Sequence, residues 1–158
     1  MTPAIKILKA HSIQFIMHEY KHDPSCTHYG DEAFKKLGIN PDQMFKTLII
    51  EINNNSKNLS VVIIPSSKHL DIKAYASIIK VKKVNMANPH DAEKVTGYLT
   101  GGISPLGLKN SNLKFIADIS INNFETIFVS AGKRGLQVEL KPKDLLLITN
   151  AKVANISR

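Results

Sequence analysis

One ammonium stands in a run otherwise built for burial, Phe45-Lys46-Thr47-Leu48-Ile49-Ile50-Glu51-Ile52. As a strand, this run puts Lys46 on the same face as Leu48, Ile50 and Ile52. Taking a lysine out of water is costly, so two readings stand open. Lys46 is either a strand-entry lysine that snorkels to water, or a fixed cation on a pocket floor, placed to meet a phosphate or a developing oxyanion. A second stretch, Tyr98-Leu99-Thr100-Gly101-Gly102-Ile103-Ser104-Pro105-Leu106-Gly107, gathers three glycines and a proline. Glycine lets backbone approach a ligand or take positive φ, and proline stiffens the chain. This loop is either a plain surface turn or a backbone cradle. A third stretch, Phe128-Val129-Ser130-Ala131-Gly132-Lys133-Arg134-Gly135-Leu136, sets a basic pair between two glycines at a hairpin tip. Backbone N–H groups, the Ser130 hydroxyl and two cations would suit a phosphate, and equally a solubilising turn.

Other chemistries find no pattern. The six histidines, His11, His18, His22, His28, His69 and His90, lack metal-ligand spacing. His18 and His22 are four apart, but in a segment that reads as strand running into loop, where they do not share a helical face. Cys26 has no activating partner in the sequence, and no Gly-x-Ser-x-Gly elbow is present. The Lys133-Arg134 turn is not a Walker motif, because it lacks a Gly-Lys-Ser/Thr opening a helix. Metal, serine-triad and cysteine-dyad chemistry are disfavoured.

The elements that must position these residues alternate without repeats or linkers. Thr2-Pro3 opens a helix to about Ala10, with Ile5 and Leu8 on its apolar face. Ile13 to Tyr20 reads as a strand and Gly30 to Leu37 as a helix closed by Gly38. Phe45 to Ile52 and Leu59 to Ile64 read as strands joined through Asn53-Asn54-Asn55-Ser56. A helix follows from Asp71, its N-cap, to Ile79, then a short strand from Lys83 to Met86, and a helix capped by Asn88 with Pro89 in its first turn. Strands are expected over Phe115 to Ile119, Thr126 to Ser130 and Leu136 to Leu140, with a closing helix over Pro142 to Ile148. Mixed strands with interspersed helices argue for α+β, or α/β with a mixed sheet, as one compact unit.

Composition sets the frame. The chain has 158 residues, 43% apolar and 22% charged, which fits a globular domain with a real core. No apolar run approaches the length of a bilayer span, no secretory segment opens the sequence, and a single cysteine fits a reducing compartment, so a cytoplasmic location is expected. Lysine and arginine number 21 against 13 acidic residues, a formal charge of +8, and the pI is near 9.6. Such a domain attracts polyanions, nucleic acid foremost. Tryptophan is absent and aromatics are few, so a stacking platform for single strands has little support.

Taken together, Phe45-Lys46-Thr47-Leu48, Thr96-Gly97-Tyr98-Leu99 running into Gly101-Gly102-Ile103-Ser104-Pro105-Leu106-Gly107, and Val129-Ser130-Ala131-Gly132-Lys133-Arg134-Gly135 resemble the YbaK/EbsC family. This family is related to the editing insertion domain of bacterial prolyl-tRNA synthetase. The Met1-Thr2-Pro3-Ala4 opening and the Asn40-Pro41-Asp42-Gln43 approach to Lys46 are similar to its YbaK branch, free-standing Cys-tRNA(Pro) deacylases. The resemblance extends over essentially the whole chain. Ala131 stands where the family often has glycine.

The resemblance implies a single domain over residues 1–158, of α+β (mixed α/β) class, with a mixed, strongly curved, barrel-like sheet and flanking helices. It implies release of an amino acid wrongly esterified to tRNA, with cysteine on tRNA(Pro) as leading substrate. Lys46 would be the essential cation, and Gly101 would supply backbone near the ester. Tyr20 would line the pocket, with Thr47, Gly102, Ile103, Ser104 and Pro105 at the tRNA 3′ end. Ser130, Gly132, Lys133 and Arg134 would make further contacts towards the acceptor stem. The substrate's own thiol would attack its carbonyl, so no protein nucleophile, cofactor or metal is expected. The partners implied are the acceptor end of aminoacyl-tRNA and prolyl-tRNA synthetase. Alanine on the same tRNA, and a non-catalytic tRNA or synthetase adaptor, are the rival readings.

Overall fold

A computed structural model describes residues 1–158. Its elements run α1 (Pro3–Ala10), β1 (Phe15–Glu19), α2 (Tyr29–Leu37), β2 (Phe45–Ile52), β3 (Asn55–Pro65), α3 (Ile72–Ile79), β4 (Val84–Met86), α4 (Pro89–Thr96) and β5 (Phe115–Asp118). A 3-10 turn over Ile119–Asn123 follows, then β6 (Ile127–Lys133), β7 (Leu136–Leu140), α5 (Pro142–Thr149) and β8 (Lys152–Ala154). No helix is long and apolar enough to cross a membrane.

The expected mixed α+β architecture is present, its strands divided between two sheets. One is antiparallel, in the order β1-β7-β6; the other is mixed, in the order β4-β2-β3-β5-β8. They meet where Met44 bridges Phe128 in parallel sense and the Phe128 N–H donates to the Gln43 carbonyl. β3 forms the spine of the larger sheet. Its Val61, Val62, Ile63 and Ile64 are wholly buried, with Ile63 in the main core and Val62 and Ile64 in a second cluster on the opposite face. A strand covered on both faces reads as an unbroken apolar run rather than an alternating one.

Local chemistry explains most boundaries. The Thr2 hydroxyl accepts from the Ile5 N–H at the start of α1, and the Asp71 and Asn88 side chains cap α3 and α4. Ile13, expected inside β1, instead donates to the Leu8 carbonyl behind Ser12 at φ +54, so the strand begins at Phe15. The β2–β3 connection is tighter than the sequence suggests. Asn53 and Asn54 both take left-handed φ, near +54, and Ile52 pairs with Asn55 across a two-residue turn. β8 and the 3-10 turn go beyond the expected elements. The buried Asp118 fastens them, accepting from the Ile156 and Ser157 N–H groups on one oxygen and from Ser120 on the other. Burial acts to raise the Asp118 pKa, but these bonds outweigh it and hold the carboxyl below the usual range.

Candidate active site

β2 has a strand on only one side along its first half. β3 pairs with it from Phe45 onwards, whereas β4 reaches only Ile50, Glu51 and Ile52. On the outer edge, Phe128 closes the strand at Gln43 and the Ala87 N–H closes it at Ile49. Between those points lies a cleft of about 350 Å³, a volume suited to a small ligand. Its walls are Tyr29 and Gly30 at the start of α2, Met86, Ala87, Pro89 and Ala92 at the β4–α4 junction, Thr100, Gly101 and Ile103 of the glycine loop, and Ser130 and Gln137 of the smaller sheet.

Lys46 lines this cleft. Alternation places it on the face of Leu48 and Ile50, as expected, at the margin of the second cluster. The ion pairs of the fold are His18–Glu139, His22–Glu32 and Lys36–Glu32, and Lys46 is in none of them. Burial lowers its pKa from the ordinary lysine value, and the charge of Asp31 opposes that shift. A half-buried cation without an ion-pair partner makes a strong site for an anionic group.

Three polar atoms of the cleft walls are buried without a hydrogen-bond partner: Thr47 Oγ1, Ser66 Oγ and Gln137 Oε1. Gln137 as a whole is 7% exposed. Buried polar groups are ordinarily paired, and these three unpaired ones belong to residues that border one cleft.

Hydrogen bonds hold the glycine loop at Tyr98, Thr100, Gly102 and Leu106. The Tyr98 hydroxyl donates to the Leu106 carbonyl at 2.6 Å, and burial pushes its pKa up to about 12. The Leu106 N–H donates to the Ser104 hydroxyl. Glu93 accepts from the Thr100 N–H at 2.7 Å, which is the main reason its carboxyl titrates below the usual range. Gly101 sits at φ +88, and a Cβ there would come within 2.6 Å of the Tyr29 ring. A Cβ on Gly102 would meet the Lys133 backbone at 2.8 Å. Both positions therefore need glycine, for close approach and, at Gly101, for backbone sign.

Of the residues expected at the site, Lys46, Thr47, Gly101, Ile103 and Ser130 converge on this cleft. The others lie elsewhere. Tyr20 packs against the Ala33, Met44 and Phe128 cluster, and burial raises its pKa. Gly102 is buried against the hairpin tip. Ser104 is fully buried and holds the loop turn, while Pro105 faces a separate cavity beside Ile7 and Leu113. Gly132 abuts the Tyr98 ring. The basic pair divides. Lys133 is exposed, whereas Arg134 turns inward and donates through Nε and Nη2 to the Thr100 carbonyl, at 2.9 and 2.7 Å. Tyr29, Ser66 and Gln137 also line the cleft, beyond the residues to which the sequence points. A glutamine between Leu136 and Val138 was a readable signal, since alternation sends it to the face opposite those two core residues. No group of three or more His, Cys, Asp or Glu converges anywhere in the fold.

Comparison with known proteins fixes the class. Residues 23–148 match the aminoacyl-tRNA editing domain, and the chain belongs to that family. EbsC of Enterococcus faecalis, described as a candidate Cys-tRNA(Pro)/Cys-tRNA(Cys) deacylase, is 36% identical over 157 residues, covering 99% of this chain and 93% of EbsC. The multifunctional Ser/Thr-tRNA deacylase ProXp-y of Escherichia coli K12 is 29% identical over 115 residues, 72% of this chain and 68% of ProXp-y. Among solved structures, the hypothetical protein APE2540 superposes with a TM-score of 0.87 at 25% identity, over 99% of this chain and all of that one.

Proposed function

We propose that this chain, acting as one domain, is a trans-editing deacylase that releases cysteine mischarged on tRNA(Pro). The observation that carries the reading is the convergence of an ammonium outside every ion pair, Lys46, with the Gly101 backbone in one cleft, within an editing-domain fold. An adaptor would need neither. The 36% identity to EbsC points to the same substrate.

In the proposed reaction the cysteinyl thiol attacks its own ester carbonyl. A carbon–sulfur bond forms, the bond from that carbon to the tRNA 3′ oxygen breaks, and the thiol proton ends on the departing oxygen. The products are a cyclic thiolactone and free tRNA, and no water is consumed. With the nucleophile supplied by the substrate, the protein contributes orientation and electrostatics. Lys46 stabilises the negative charge of the reacting ester or of the terminal phosphate, and Gly101 supplies an N–H donor. Thr47, Ser66 and Gln137 take up polar groups of the aminoacyl moiety. Ser130 borders the cleft, while exposed Lys133 meets the acceptor stem. Prolyl-tRNA synthetase, in the same cytoplasmic compartment, supplies tRNA selectivity.

The test is deacylation of Cys-, Ser-, Ala- and Pro-tRNA(Pro) by the wild-type protein and by Lys46→Ala. Rapid release of cysteine, slow release of serine and loss of both in the variant are expected, because a hydroxyl is the weaker nucleophile. Equal rates for cysteine and serine would replace the thiol by an activated water. Release of alanine would move the specificity to the sister substrate, and no release at all would leave the adaptor.

A further inference from the structure

We propose that Arg134 is a positioning residue: by holding the Thr100 carbonyl, it aims the Gly101 N–H at the reacting ester. The inference rests on the editing reading for the identity of the ester, and on geometry for the rest. Two guanidinium N–H groups converge on a single carbonyl oxygen, that of Thr100. The guanidinium lies over the Tyr29 ring, its carbon 4.5 Å from the ring centroid, and the same ring closes on Gly101. On the other side of the residue, Glu93 holds the Thr100 N–H. Both peptide units of Thr100 are thereby fixed.

The consequence follows from the planar trans peptide, in which a carbonyl and the next N–H point in opposite directions. With the Thr100 carbonyl turned to Arg134, the Gly101 N–H must point away from it. Thr100 N–H donates to Glu93 and Gly102 N–H donates to Leu99, while the Gly101 N–H has no partner within the protein. It is the free donor of the three, on a residue that lines the same cleft as Lys46. A glycine at φ +88 lets its flanking peptide flip with little steric penalty. A flipped peptide would present a carbonyl oxygen, which repels an oxyanion. Arg134 removes that alternative.

The basic hairpin tip invites a different role, a phosphate contact to the acceptor stem, and the two separate kinetically. For Arg134→Met, positioning predicts a fall in kcat on the order of 100-fold, the usual effect of losing one oxyanion donor, with KM held within about twofold and its salt dependence unchanged. Arg134→Lys keeps one donor for the carbonyl and recovers part of kcat. Glu93→Ala lowers kcat in the same sense, and combined with Arg134→Met it is less than additive, since both loosen one peptide. A rise in KM with kcat intact, and a log-log salt slope shallower by about one, would overturn the proposal in favour of a phosphate contact. Should Arg134→Met fail to fold, as judged by circular dichroism, Arg134→Lys and Glu93→Ala decide, and wild-type kcat in both would overturn it. The Gly101 amide resonance gives a readout free of turnover. Doubling or broadening in folded Arg134→Lys supports the proposal, and an unchanged resonance refutes it even if no aminoacyl-tRNA proves to be a substrate. Absence of turnover in the wild type would count against the editing reading alone.

Discussion

The two halves of β2 share one partner strand and one alternation, yet they do opposite work. From Ile50 to Ile52 the strand is paired on both sides, by β3 and by β4, and Ile50 is fully buried among Val62, Ile64, Tyr75 and Val84. From Phe45 to Leu48 the outer edge is open, the Lys46 ammonium has no ion pair, and the Thr47 hydroxyl is buried without a bond. Covering an edge satisfies the backbone and lets the side chains serve packing. Leaving it uncovered inside a walled cleft creates unmet demands that a ligand can satisfy, at some cost to stability. One half serves packing, and the other lines a cleft with polar groups that have no partner within the protein.

That contrast breaks most sharply at its two extremes. Lys46→Ala is expected to lower deacylation on the order of 100- to 1,000-fold, in the range for loss of a charge-stabilising group, while the melting temperature stays level or rises slightly as a desolvated charge is removed. Single-turnover kinetics and a thermal melt on one preparation check both. Ile50→Ala should do the reverse, costing about 2–5 kcal/mol in denaturant unfolding as a buried cavity opens, with turnover near wild type at temperatures where the variant is folded. Loss of stability in Lys46→Ala, or loss of turnover in folded Ile50→Ala, would erase the distinction between the halves. A smaller effect is expected at Gln137. Replacing it with leucine removes an unpaired buried oxygen, so stability should hold. KM for the aminoacyl ester should rise about tenfold, the worth of one hydrogen bond to a charged group, about 1.5 kcal/mol.

What the sequence made legible follows the same division. Phe45 to Ile52, Leu136 to Leu140 and the caps at Asp71 and Asn88 stand where alternation and capping chemistry place them. These signals are local. The three residues of β8 are too few to show a period, and the parallel pairing of Ile116 with Lys152 depends on contacts remote in sequence. At the site, Lys46 and Gly101 were readable because an ammonium and a glycine pair are conspicuous in their surroundings. Tyr29 was not, since an aromatic at the first turn of a helix looks like ordinary packing until the Gly101 backbone is seen against its ring. Arg134 was readable as a charge but not as a direction. Lys133 ends β6 and is exposed, whereas Arg134 opens the turn beyond it, past an irregularity in the β6–β7 register that strand alternation does not predict, and reaches the Thr100 carbonyl.

The last and smallest effect concerns the wall that Tyr29 stands on. Glu32, buried one turn into α2, accepts from the His22 ring at 2.7 Å, from the Asp23 N–H at 2.8 Å and from Lys36 at 3.1 Å. The His22 bond first, and then that of Asp23, pull its pKa from 4.5 down to about 2. A carboxyl with a folded pKa below its unfolded one stabilises the fold fully above the unfolded value. That contribution drains away as pH falls from 4.5 towards 2, because the unfolded chain binds the proton first. The loss belongs to α2 and the segment before it, not to the β2–β4 pairing. Hydrogen exchange at pH 3 against pH 6, corrected for intrinsic rates, should therefore show α2 amides losing protection while those of Ile50 and Ile52 keep theirs. In Glu32→Gln the α2 amides should be less protected at pH 6 and respond less to acid. Parallel loss across both regions would mean that the open half of β2 and its covered half unfold as one unit, and that the cleft wall has no independent stability.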